Sequence, residues 1–132
     1  LLGAVLLEHL GIRGLLVLCG SCGNRMREKR PLVGEVCGRL ADVVVATQDE
    51  TYGEDPLNVL EEVWAGIDTT KTNAHKIPDR LEAIRFILKA ARPGDAVAIC
   101  GMGPFDTMTT LQGRIPWDER EIVRGILQET KA

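Results

Sequence analysis

Three short runs, Leu15–Cys19, Val43–Thr47 and Ala96–Cys100, apolar but for the closing Thr47, constrain the fold more than anything else in the chain. A strand with one wet face alternates polar and apolar residues, and these do not. Helix-forming stretches lie between them. Buried strands separated by helices imply a mostly parallel sheet covered by helices on both faces, an α/β architecture.

The helices carry their own boundary signals. Pro31–Leu40 places Leu32, Val33, Val36, Cys37 and Leu40 on one expected apolar face. Asp55 and Pro56 form a cap and first helical position ahead of Leu57, Leu60, Val63, Trp64 and Ile67. Residues 68–78 read as irregular, with a short strand near Ala74–Ile77. Asp79 and Glu82 make a capping box before Leu81, Ile84, Leu88 and Ala91. Thr107–Leu111, a turn at Gln112-Gly113 and Arg114-Ile115 predict a C-terminal β-hairpin, and Asp118 with Glu121 caps a last helix. Leu1–Leu10 is expected to be helical, stopped by Gly11.

At 132 residues the chain is expected to be one domain, residues 1–132, without repeat or linker. It opens on Leu1 in mid-pattern, which suggests a piece of a longer protein. No apolar run approaches the ~20 residues of a membrane span. A net charge of −3 argues against nucleic-acid binding, and only Trp64, Trp117, Tyr52, Phe86 and Phe105 could stack on bases. Four cysteines with no secretory leader are expected to be reduced thiols in a cytoplasmic protein.

In an open parallel sheet, ligands bind beyond the carboxyl ends of the strands. Three segments fall there: Gly20–Arg30, Gln48–Asp55 and Gly101–Asp106. The first holds Arg25, Arg27, Lys29 and Arg30 at the entrance to a helix. Free N–H groups and guanidinium forks make an anion site there, for a carboxylate or a phosphate. A solvated basic lead-in to the helix is the plainer alternative. It is neither GxxxxGK[ST] nor GxGxxG. Asp49, Glu50, Glu54 and Asp55 could face it across a crevice and hold an amine, or could simply cap and solvate. Cys19 and Cys22 form a CxxC, readable as redox or half a zinc site, but more simply as a strand end and a small turn residue. Cys37 and Cys100 fall on apolar faces, and His9 and His75 read as surface residues. No metal site is expected.

These segments together resemble the C-terminal domain of Mur ligases, closest to the UDP-N-acetylmuramoyl-tripeptide synthetase type. That type carries GGDRDxxKRPLMG, TxDNPRxEDP, PDRxEAI, ARPGD, GKGHE and PFDDRE. This chain has "GSCGNRMREKRPLVG", "TQDETYGEDP", "IPDRLEAI", "ARPGDAVAICGMGPFD" and "IPWDEREIVR", in the same order and spacing.

The resemblance implies a Rossmann-like domain that closes over a separate central ATPase domain. ATP and magnesium, bound mainly by that domain, would activate a carboxyl group of a UDP-linked peptide precursor as an acyl phosphate. The amine of an incoming amino acid would then attack. On this resemblance Arg25, Asp49, Glu50, Tyr52, Gly101 and Phe105 are the substrate-binding candidates, Asn24, Lys29 and Arg30 face the nucleotide, and no residue here is catalytic. Arg25 falls at the arginine that binds the incoming amino acid. Three departures stand out: Glu50, Thr51 and Tyr52 replace Asn, Pro and Arg; Met102, Pro104 and Phe105 replace Lys, His and Glu; Asn24 replaces Asp. In diaminopimelate-adding members the lost Asn, Arg and Glu hold the far end of that substrate. A non-catalytic ligand-binding or regulatory module on the same fold is the alternative. A CxxC redox protein, which would show a low-pKa thiol at Cys19 or Cys22, is a third.

Overall fold

In the computed structural model of the chain, residues 10–131 are described. Elements run β1 (Leu15–Cys19), α1 (Lys29–Leu40), β2 (Val43–Ala46), α2 (Pro56–Trp64), β3 (Asn73–Lys76), α3 (Arg80–Ala90), β4 (Ala96–Ile99), β5 (Thr107–Thr110), β6 (Gly113–Pro116) and α4 (Glu119–Lys131). The expected Leu1–Leu10 helix lies almost wholly outside the described residues.

The four-stranded sheet has the order β3-β2-β1-β4, and every pairing is parallel. The chain steps one way from β1 to β3, then crosses to β4, so the order reverses between β1 and β4. β5 and β6 form a separate antiparallel hairpin, Met108 opposite Ile115.

Alternation along each strand splits the core into two layers. Val17, Cys19, Val44 and Ala46 pack under α1 and α2 with Leu60, Val63 and Ile67. Leu16, Leu18 and Val45 pack on the opposite side with Ala83, Ile84 and Ile87 of α3 and Ile126 of α4. Helices therefore cover both faces, as expected.

α1 departs from the expected face. Leu32, Val36 and Leu40 are exposed, and the buried positions are Arg30, Gly34 and Gly38. The cause is a close helix crossing. A side chain at Gly34 would run into the carbonyl of Val63, and one at Gly66 into that of Pro31. Backbone approach, not side-chain bulk, sets the rotation of α1. The helix also begins two residues before Pro31, whose missing N–H is harmless in a first turn. Leu57 and Leu81 are likewise exposed rather than in the apolar stripes of α2 and α3. His75, expected at the surface, is half-buried against the ring of Phe86 at 4.5 Å.

Candidate functional site

The loops after β1, β2 and β4 converge beyond the carboxyl ends of the strands. Glycine makes the first contact possible. A side chain at Gly23 would collide with the backbone of Thr51, and the Gly23 N–H donates to the Glu50 carbonyl at 2.8 Å. A side chain at Gly20 would strike the Thr47 carbonyl. The third loop closes on the second: a side chain at Gly101, where φ is +116°, would collide with the Asp49 carboxylate.

Beside this junction lies a cavity of about 330 Å³ lined by Gly23, Asn24, Arg25 and Tyr52. Asn24 and Tyr52 both have left-handed backbones, φ +54° and +52°. Asn visits that region readily; for a bulky residue it is uncommon and must be held. Tyr52 is held by its N–H on the Thr109 carbonyl at 3.3 Å and its hydroxyl on Glu50 Oε2 at 2.7 Å. Glu50 Oε1 in turn accepts from the Thr109 N–H at 3.3 Å. Arg25 lines the same cavity, so the phenol that donates to Glu50 stands in a site that also holds a guanidinium. The hydrogen bond to Glu50 raises its pKa.

Asp49 is buried, at 4% exposure. Burial pushes its carboxyl above the usual aspartate range, opposed by the Glu50 N–H on Oδ1 at 2.7 Å and by the charge of Arg80.

The four cations of the basic loop part company. Arg25 is exposed at the cavity, and Lys29 is exposed at the start of α1. Arg27 pairs with Glu62. Arg30, expected to face a nucleotide, is fully buried instead. It binds Glu54 at 2.6 Å, Glu62 at 2.9 Å and the Cys22 carbonyl at 3.3 Å. It shares the inward face of α1 with Gly34 and Gly38, and helical phase decides its direction. Phe105 is exposed and does not line the cavity, whereas Met102 is buried.

Arg80 was not among the expected site residues, yet it supports two of the three loops. It is 1% exposed and donates to the carbonyls of Gln48 at 3.0 Å and Cys100 at 2.9 Å, the residues just before Asp49 and Gly101. Its remaining bonds go to Glu119, which also accepts from Trp117 Nε1 at 2.8 Å. The signal was available: Arg80 is in phase with Ile84 and Ile87 on the buried face of α3, where a cation must find partners.

Neither thiol of the CxxC is lowered, as a reactive redox pair would require. Burial raises the Cys22 thiol, and Cys19 is raised as well, through its hydrogen bond to Cys37 and through burial. Among the described residues no group of three or more His, Cys, Asp or Glu side chains is placed to hold a metal ion, and no helix is long and apolar enough to cross a membrane.

Comparison with known proteins gives these features a family. The model of the family described as Mur ligase, glutamate ligase domain, matches residues 3–103. The chain is 38% identical over 124 residues to a UDP-N-acetylmuramoyl-L-alanyl-D-glutamate–2,6-diaminopimelate ligase of Caldanaerobacter subterraneus subsp. tengcongensis, covering 94% of this chain and 26% of that protein. The ligase of the same name from Nitrosomonas europaea is 39% identical over 116 residues, 87% of this chain and 22% of the relative. A UDP-N-acetylmuramyl-tripeptide synthetase of Roseiflexus sp. is 36% identical over 119 residues, 87% and 23%. A solved structure of a 2,6-diaminopimelate ligase of this kind superposes with a TM-score of 0.86 at 30% identity, over 98% of this chain and 28% of that one. The chain spans about a quarter of the length of the relatives it matches.

Proposed function

The chain belongs to the Mur ligase family, as its glutamate ligase domain, and from that premise we propose that it holds the incoming amino acid for an ATP-dependent amide ligase acting on a UDP-linked cell-wall peptide precursor. The observation that carries the reading is the cavity of Gly23, Asn24, Arg25 and Tyr52, in the loops beyond the carboxyl ends of the neighbouring strands β1 and β2. Arg25 is the exposed guanidinium there, and its fork matches a carboxylate bidentately. The chain contains no GxxxxGK[ST] sequence. ATP and magnesium would therefore be held mainly by a central domain of the same ligase, with Lys29 and Asn24 toward the nucleotide. Activation of the precursor carboxyl belongs to that domain, and this chain's task is to orient the amine for attack.

Within this reading, the site favours an amino acid with a single carboxylate. Arg25 meets the carboxylate beside the reacting amine. A second carboxylate, as in diaminopimelate, would approach Glu50 and Tyr52, where Glu50 repels it and the phenol is already engaged. A desolvated, unpaired carboxylate costs several kcal/mol, so lysine, ornithine or a small neutral residue fits better.

Ligand-observed NMR of the chain with L-lysine, L-alanine and meso-diaminopimelate tests both statements. Saturable binding lost in Arg25→Met supports the site; no binding of any amino acid overturns it. Diaminopimelate binding as well as lysine leaves the site standing and overturns the preference.

A further inference from the structure

The three residues ahead of Arg25 are each pinned by a different partner. The Cys22 carbonyl accepts from Arg30 Nη2 at 3.3 Å, and the Gly23 N–H donates to the Glu50 carbonyl at 2.8 Å. The N–H of Asn24, whose backbone is left-handed, donates to Glu54 Oε2. Arg30 in turn grips both oxygens of Glu54, Nη2 on Oε2 at 2.6 Å and Nη1 on Oε1 at 3.2 Å. The carboxylate oxygen that holds Asn24 is thus itself held by a fully buried guanidinium. Arg30 stands on α1 and Glu54 in the loop after β2, so the basic loop is locked through a residue of its neighbour. Glu62, the other carboxylate on Arg30, reaches toward Arg27 instead. Stability explains this arrangement poorly. A buried ion pair repays little more than its desolvation, and Arg30 Nε has no hydrogen-bond partner among the described residues.

We infer that Arg30 and Glu54 are positioning residues of the candidate site, which set the backbone of residues 22–24 and thereby present Arg25 to the cavity. Neither is among the residues that line the cavity, and both act through main-chain groups. Arg30 fixes the Cys22 carbonyl directly and Asn24 through Glu54. The left-handed turn at Asn24 decides where the next side chain, Arg25, emerges, and such a turn persists only where its surroundings hold it. Lysine at position 30 would keep the charge and lose the fork that serves Glu54 and Cys22 together. What Arg25 meets rests on the reading of the cavity as an amino-acid site; how Arg25 is held does not.

The test sets the two carboxylate partners of Arg30 against each other. Glu54→Ala and Glu62→Ala each remove one carboxylate from it, but only Glu54→Ala releases the Asn24 N–H. In the ligand-free chain, hydrogen exchange at the Asn24 amide is expected to speed up about tenfold in Glu54→Ala and to stay at the parent rate in Glu62→Ala. Lysine affinity in ligand-observed NMR should fall several-fold in the first and hold in the second. Glu54→Gln keeps an oxygen for the Asn24 N–H and should recover most of both, whereas Arg30→Lys should speed the Asn24 amide. A further measurement needs no variant and so survives one that fails to fold: the Asn24 amide proton shift should titrate with the Glu54 carboxyl, below the usual glutamate range. Exchange and affinity that move alike in the two alanine variants overturn the inference. So does an Asn24 amide that ignores Arg30→Lys or the Glu54 titration. A parent chain that binds no lysine counts against the amino-acid reading of the cavity instead, and the Asn24 amide still decides whether Arg30 and Glu54 set the loop.

Discussion

The guanidinium of Arg80 grips both carboxylate oxygens of Glu119, at 2.9 and 2.8 Å, in a site where neither side chain sees more than a trace of solvent. The same guanidinium carries the carbonyls of Gln48 and Cys100. One cation thus joins the first turn of α4 to the ends of β2 and β4. Lysine cannot reproduce the planar fork.

Glu119→Gln leaves Arg80 buried with its charge uncompensated. The expected cost is about 3 kcal/mol of folding stability, read as a lowered urea midpoint. Arg80→Lys is expected to lose a similar amount and to speed amide exchange at Asp49 and Gly101. A loss of stability without faster exchange at those amides would mean that the two carbonyl contacts do not hold the loops.

Gly34→Ala sets two effects against each other. Alanine favours a helix interior by roughly 0.5–1 kcal/mol over glycine. The added methyl would meet the Val63 carbonyl across the crossing of α1 and α2. Overpacking of that kind costs about 1–3 kcal/mol, so the clash is expected to win and the variant to be destabilised. Thermal unfolding decides the sign.

Asp49→Asn removes a carboxylate that burial disfavours while keeping an oxygen for the Glu50 N–H. With its folded pKa raised, Asp49 contributes stability below its unfolded pKa, and that contribution is lost as pH rises through the folded value. At neutral pH the variant is therefore expected to be as stable as the parent or slightly more so, by up to about 1 kcal/mol, and to bind the amino acid less well. The variant's gain should disappear at pH 3.

Glu54 and Glu62 work in the opposite sense. Hydrogen bonds from Arg30 to Glu54 and from Arg27 and Arg30 to Glu62 hold both carboxyls below the usual glutamate range. Their contribution is present above the unfolded glutamate pKa and is lost as pH falls through the lower folded values. Stability should fall across the acid end of the carboxylate range. The double variant Glu54→Gln, Glu62→Gln should show a flatter acid limb in denaturation followed by circular dichroism.

The strands β1, β2 and β4 were legible because they are apolar without interruption, and only a sheet covered on both sides can absorb such runs. The caps at Asp55 and Asp79 appear where expected, each accepting from the backbone two or three residues on. The inward face of α1 was not legible. Hydrophobic periodicity weighs side chains, and that face is built from Gly34 and Gly38, which have none. In the candidate site, Arg25, Asp49 and Glu50 do gather at the loops to which pattern and resemblance assigned them. Arg30 does not open onto the cavity, because helical phase turned it toward Glu54 and Glu62. Nothing in the sequence announces the left-handed backbone of Tyr52, since no local rule asks a tyrosine to adopt it.

The β5–β6 hairpin lies outside the four-stranded sheet. It is tied to the loop after β2 through Thr109, whose N–H and carbonyl both engage residues 50 and 52. Its far root runs through Trp117 into Glu119. The hairpin therefore acts as a yoke between the loop beside the cavity and the last helix. Trp117 stands at the root of the hairpin whose other strand carries Thr109, so occupancy of the cavity beside Tyr52 is expected to register as a change in indole emission, read with Trp64 replaced by Phe.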